Sequence, residues 1–216
     1  MSSSACTPKL AHFYGFFETG GRGRLDGLDR SYFEGMDADE LEEAWNYLDN
    51  GRLSEESAHG LWLIDSARAF EFFKRSLAEP METSPYPAER DAIERTRLIL
   101  LAYVSSVEPD KQYVEAICKF ANSEFEDVRA QFARNVSPRR LTPDIVDALK
   151  TMILTESAGL ALICAVNSFM DLYGMSGWDM DSRTKEIYLS LTSTDQDRKI
   201  TAIGQLEASG RLDYLK

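Results

Sequence analysis

The chain has 216 residues, 44% of them hydrophobic and 28% charged, enough for one sizeable domain or two small ones with a real core. Its formal net charge of −12 argues against nucleic acid as a partner, because phosphate binding is driven by Lys and Arg; a basic partner fits better. The longest strongly apolar run, Ala158 to Met170, is shorter than the ~20 residues a helix needs to cross a bilayer, so it reads as a buried helix and no membrane partner is expected.

The opening "MSSSACTPKL" shows no basic leader followed by an apolar stretch, so no secretory signal is expected and the cytoplasm is the default compartment. Cys6, Cys118 and Cys164 are odd in number and widely spaced, with no CxxC and no histidine beside them. They are expected to be buried free thiols, not zinc ligands. Up to Met36, "HFYGFFETGGRGRLDGLDRSYFEGM" mixes aromatics with glycines and lacks a sustained helical period. Residues 1–36 therefore read as an irregular or partly helical segment packed on the helical remainder of the chain. "GGRGRLDG" lacks both the lysine of a P-loop and the order G-x-G-x-x-G, and reads as a plain turn.

From Asp37 the pattern becomes helical and paired. "DADELEEAWNYLDNG" starts on an Asp cap with acids in its first turn and stops at Asn-Gly, and "SEESAHGLWLID" starts on a serine cap. A second pair is "SARAFEFFKRSLAEP" with "AERDAIERTRLILLAYVSSV", across the breaker-rich link "METSPYP". A third is "PDKQYVEAICKFAN" with "SEFEDVRAQFARNV", and a fourth is "TPDIVDALKTMIL" with "ESAGLALICAVNSFMDLYG". Sliding the third pair by 32 residues sets Val114 on Val146, Ile117 on Leu149, Glu124 on Glu156 and Ala133 on Ala165 without a gap. A fifth pair comes after "GMSGWDMD", with "SRTKEIYLSLTST" and "DQDRKITAIGQLEASGRLDYL". The expected fold is all-α: stacked antiparallel helical pairs over residues 37–216, in a single domain with the 1–36 segment. One hairpin cannot bury its apolar face alone, and stacking does.

"EDVRAQFA" (Glu126 to Ala133) resembles the Asp-x-x-Val-Arg-x-x-Ala pattern of the second helix in HEAT-like repeats, and "DQDRKITAIGQL" resembles it more loosely. The resemblance implies a HEAT-like α-solenoid in which Val128 and Ala133 face the first helix of the pair, while Asp127 and Arg129 can pair between units. The fourth pair departs from the pattern, with Leu160 and Ala161 at the Val-Arg step. As a whole, a short acidic chain of helical pairs with an atypical N-terminal segment resembles the helical-repeat immunity proteins encoded beside bacterial polymorphic or type VI secreted toxins. That resemblance implies a neutralising binder of a cognate toxin, with no chemistry of its own.

Signals for catalysis are weak. His12 and His59 are the only histidines; neither sits in H-E-x-x-H or a similar set, and "GMSGW" is not a G-x-S-x-G elbow. "NYLDNGRLSEES" fails as a calcium loop because Leu48 and Ser57 occupy ligand positions. No catalytic residue, metal or cofactor is expected. The basic pairs Arg95 with Arg97 and Arg139 with Arg140 are small and read as solvated.

The charge itself is uneven: residues 1–65 carry 13 acids against 5 bases, and residues 66–216 carry 23 against 19. Asp37, Asp39, Glu40, Glu42 and Glu43, with Glu55 and Glu56 on the next helix, therefore stand out. One reading is a solvated face with acids placed favourably at two helix N-termini. The other is a negative patch steering a basic partner, with Trp45 as an anchor and Tyr47 and Trp62 as further aromatic candidates. The expected function is protein binding, as inhibition of a cognate toxin; a nuclease fits as target, since it must show a basic cleft to its substrate. The alternatives are a general helical-repeat scaffold and, as a different class, a helical-repeat enzyme such as a nucleic-acid glycosylase, which would need a basic concave face.

Overall fold

The computed structural model describes residues 7–18, 27–136, 142–175 and 181–209. Cys6, the glycine-arginine run at 19–26, Arg139 with Arg140, and most of the "GMSGWDMD" link lie outside the described residues. Among those described there are eleven α-helices and no strand, so the fold is all-α. None of these helices is long and apolar enough to cross a membrane. In order they are α1 (Pro8–Glu18), α2 (Ala38–Asp49), α3 (Glu55–Ile64), α4 (Ser66–Ala78), α5 (Pro87–Val107) and α6 (Lys111–Cys118), then α7 (Glu126–Arg134), α8 (Pro143–Thr155), α9 (Leu160–Leu172), α10 (Ser182–Leu191) and α11 (Gln196–Ala208).

Most of these helices start where a short polar side chain can take up the free amides of a first turn. Asp37 accepts from the amides of Asp39 and Glu40, Asp65 from Ala67 and Arg68, and Asp195 from Asp197 and Arg198. Ser54, Asp110, Thr142 and Asp181 do the same for α3, α6, α8 and α10. Two of the caps are reciprocal boxes: Glu40 returns a bond to the Asp37 amide, and Ser57 to that of Ser54. Proline at the first position of α5 and α8 gives up no hydrogen bond there.

The chain forms two compact units, residues 1–82 and 83–216. In the first, α1 and a 3-10 turn at Arg30–Tyr32 pack together, α1 packs on α2, α2 on α3, and α3 on α4. Its core holds Leu10, Phe13, Phe16, Leu28, Trp45, Leu48, Leu61 and Phe73. Gly60 of α3 sits against Leu48 of α2 and Leu28: a Cβ there would lie 2.6 Å from Leu28 Cδ2 and 2.7 Å from Leu48 Cδ1. The glycine in "SAHGLWL" is thus a packing residue, whose missing side chain lets two leucines seat against the helix backbone.

In the second unit α5, α7 and α9 are successive neighbours, and α6 and α8 are neighbours beside them, with α8 against α9 and α5 against α6. The residues equated by the 32-residue slide occupy matching core positions: Val114 and Val146, Ile117 and Leu149, Ala133 and Ala165 are all buried. The last pair is turned the other way round, with α10 on α9 and α11 on α8. The second sequence pair falls across the division, α4 in the first unit and α5 in the second.

Polar bonds knit the second unit at regular intervals. Ser123 donates to Glu94, and Arg90 to Glu124. Ser168 donates to the Ala133 carbonyl. Glu126, at the start of α7, accepts from the amides of Leu160 and Ala161 at the start of α9, and Arg129 is paired with Glu156. The arginine of "EDVRAQFA" does reach the next pair; its partner is Glu156, while the neighbouring Asp127 is exposed.

Candidate functional site

The first unit, residues 1–82, carries 16 acids against 8 bases, while residues 83–216 carry 20 against 16. The acids singled out from the sequence gather on α2 and the start of α3, and their side chains divide into two sets.

Two of the expected binding residues face inward. Glu40 is 9% exposed; one oxygen accepts the Asp37 amide at 2.8 Å and the other the Thr7 hydroxyl at 2.5 Å, so its carboxylate is consumed by holding α2 to the segment before α1. Trp45 is 2% exposed and belongs to the core. The Arg68 guanidinium lies 4.0 Å from the centroid of its ring, and its two terminal nitrogens donate to both oxygens of Glu42. That pairing holds the Glu42 carboxyl below its usual range, chiefly through the hydrogen bond from Arg68. Trp45 is therefore the floor on which the Arg68–Glu42 pair rests.

The rest stay toward water. Asp37, Asp39, Glu42, Glu43 and Glu56 are exposed and Glu55 is half-buried. Asp37 also serves as the cap of α2, and Glu43 accepts the Tyr14 hydroxyl at 2.8 Å. Beside Glu43, one turn on, stands Tyr47, which is 45% exposed although its ring is held by three others. Its centroid lies 5.0 Å from Tyr14, 5.1 Å from Phe17 and 5.6 Å from Phe13. Of the three aromatic candidates Tyr47 is the one presented outward, since Trp62 is half-buried and stacked on Phe73. The contribution of Tyr14 and Phe17 was missed in the sequence. The signal for it was the aromatic spacing of "HFYGFFE", which places Phe13 and Phe17 one helical turn apart.

Next to Tyr47 a cleft of about 340 Å³ opens between α1, the end of α2 and the start of α3. Phe17, Tyr47, Leu48, Asn50, Gly51, Arg52, Ser54 and Ser57 line it. Arg52 is paired with Glu82 at 2.9 Å.

The groups with chemical potential elsewhere hold structural positions. His12 stacks on Tyr32 at 4.7 Å; burial pulls the half-buried His59 down, partly offset by the charge of Asp29. Cys164 is buried and Cys118 half-buried, and burial pushes the Cys118 thiol up to about 11, far from the range of a reactive thiolate. Among the described residues no group of three or more His, Cys, Asp and Glu is placed to hold a metal ion. Arg95 is bonded to Asp91, and Arg97 is partly buried.

Comparison with protein-family models, curated proteins and solved structures finds no match.

Proposed function

We propose that this protein is a non-catalytic binding module that acts in the cytoplasm, neutralising a cognate protein toxin by docking the acidic face of its first unit on a basic surface of that toxin. The observation that carries the reading is the outward face of α2, where Asp39, Glu42 and Glu43 share the surface with an exposed tyrosine already fixed by three rings. Carboxylates spread over such a face speed encounter with a basic partner and select against acidic ones. A tyrosine whose rotamer is set before binding contributes contact area at low entropic cost. Nucleases suit the target role because their substrate forces a basic cleft on them.

The test is affinity capture with the tagged full chain from its native host in moderate salt, followed by mass spectrometry. A single basic protein with toxic activity that the chain inhibits supports inhibition. Many housekeeping partners, or none, would overturn it in favour of a general scaffold.

A further inference from the structure

We infer that the turn at residues 27–33 is a proton-sensitive brace of the first unit: it joins α1 to α3 with one of the chain's two histidines on each side, and mild acid unseats it by charging His59. On the α1 side, Tyr32 stacks on His12 at 4.7 Å and meets Phe16 at 5.3 Å, while Phe33 lies 5.6 Å from Phe13. On the α3 side, buried Leu28 packs against Gly60, the residue after His59. Asp29 stands between them and starts the 3-10 turn by accepting the Ser31 amide at 2.7 Å. Its carboxyl is held below the usual range chiefly by the bonds from Ser31, and the charges of His12 and His59 act in the same direction. Both histidines of the chain thus converge on one carboxylate.

The two histidines differ in their surroundings. His12 is exposed, whereas His59 is half-buried on α3. Burial holds His59 below the ordinary 6.5, and the charge of Asp29 offsets only part of that. The helices packed on α3 have their charges engaged or turned to water. On α2, Glu40 is bonded to Thr7 and the Asp37 amide, and Asp39, Glu42, Glu43 and Asp49 are exposed. On α4, Arg68 is bonded to Glu42, Lys74 lies over Phe70, and Glu71 and Arg75 are exposed. The fold therefore favours neutral His59. As pH falls through 6.5 the unfolded chain takes up a proton at this histidine before the folded chain does, so stability is lost from about pH 7 downward until folded His59 is itself charged. A charged imidazole gains by reaching water, and the segment beside it is the turn. Tyr32 and Phe33 then leave the rings of α1, the helix whose Tyr14 and Phe17 hold Tyr47. On the binding reading, acid loosens the face that meets the partner; the brace itself does not depend on that reading.

The test is an NMR titration of the full chain from about pH 8 to about pH 5, following the C2 proton of His59 and the hydrogen-exchange protection factors of the α1 amides. His59 is expected to titrate below 6.5, and α1 protection to fall roughly 2- to 5-fold between about pH 7 and about pH 5.5. His59→Gln, which takes up no proton, should abolish that fall and also assigns the His59 signal. Asp29→Asn keeps an oxygen for the Ser31 amide while removing the charge, so His59 should titrate lower still and the loss of protection in acid should grow. Circular dichroism checks that both variants keep their helices; if His59→Gln does not fold, the direction of the His59 shift in Asp29→Asn decides. Equal α1 protection at the two pH values, titration of His59 at or above 6.5, or a His59 signal unmoved by Asp29→Asn would overturn the brace. The binding reading fails separately, when exchanging Asp39, Glu43 and Glu56 for lysine leaves partner affinity unchanged.

Discussion

Arg129 and Glu156 are bonded across successive helical pairs: Nε of Arg129 donates to Oε1 of Glu156 at 2.5 Å, and Nη1 of the same guanidinium donates to the Ser123 carbonyl at 2.7 Å. Their side chains are 19% and 16% exposed, so water cannot readily replace either partner. Arg129→Ala should therefore cost about 2–4 kcal/mol in urea denaturation, by leaving Glu156 and a carbonyl short of donors. Removing Glu156 as well should cost less than the sum of the two single changes. Additive losses would show that the pair is not coupled.

Gly159 precedes α9 with φ +98°, where a side chain is strained, and a Cβ there would overlap Oε1 of Glu126. Gly159→Ala should then lose both the backbone fit and the cap that Glu126 places on the Leu160 and Ala161 amides, about 2–4 kcal/mol in all. In a Glu126→Ala background the same change should cost clearly less, because the overlap is gone. Equal costs in the two backgrounds would refute the steric explanation.

Lys199 is 1% exposed, and its Nζ donates to the carbonyls of Ile153 and Glu156 at the end of α8, at 2.6 and 2.7 Å. It therefore does for a helix C-terminus what Asp and Ser do at the N-termini, while joining α11 to α8. Lys199→Met fills similar volume without the donors and should lower stability by roughly 1–3 kcal/mol. Hydrogen exchange should accelerate first in the last turn of α8; uniform acceleration would point to a packing defect instead.

Burial pushes Cys118 up to about 11 from 9.0 and Tyr103 up to about 12 from 10.0. Both groups keep their proton in the folded chain at pH values where the unfolded chain has lost it. The folded state then binds more protons than the unfolded one, so stability falls as pH rises from about 9 to 12. Urea midpoints measured at pH 8, 10 and 11 should decline in that order, and Cys118→Ala should flatten the first part of the decline. An identical slope in that variant would remove Cys118 from the explanation.

Helix positions from Asp37 onward were legible because their signals are local, whereas α1 (Pro8–Glu18) was not, since the aromatics and glycines of that segment read as irregular or partly helical. Asp37, Ser54, Asp65, Asp110, Thr142, Asp181 and Asp195 each cap a helix in the structure, and the 32-residue slide identified α6 with α8 and α7 with α9. What depends on packing between distant segments was not. The division of the chain into two units falls inside the link between α4 and α5, and nothing local in α10 and α11 signals that this last pair is turned over. At the acidic face, Asp37-x-x-Glu40 already had capping-box spacing, which would have marked Glu40 as structural. The inward turn of Trp45 and the outward turn of Tyr47 were set by Arg68 and by the rings of α1, from elsewhere in the sequence.

The most direct test of the binding account is calorimetric titration of the captured partner into the wild-type chain and into an Asp39→Lys, Glu43→Lys, Glu56→Lys variant, at two salt concentrations. These three positions leave the Glu40 box and the Arg68–Glu42 pair intact, so the fold is expected to survive. The account predicts affinity at least ~10-fold weaker in the variant and a shallower dependence on salt, as when charge complementarity is removed from an interface. Unchanged affinity in a folded variant would contradict it.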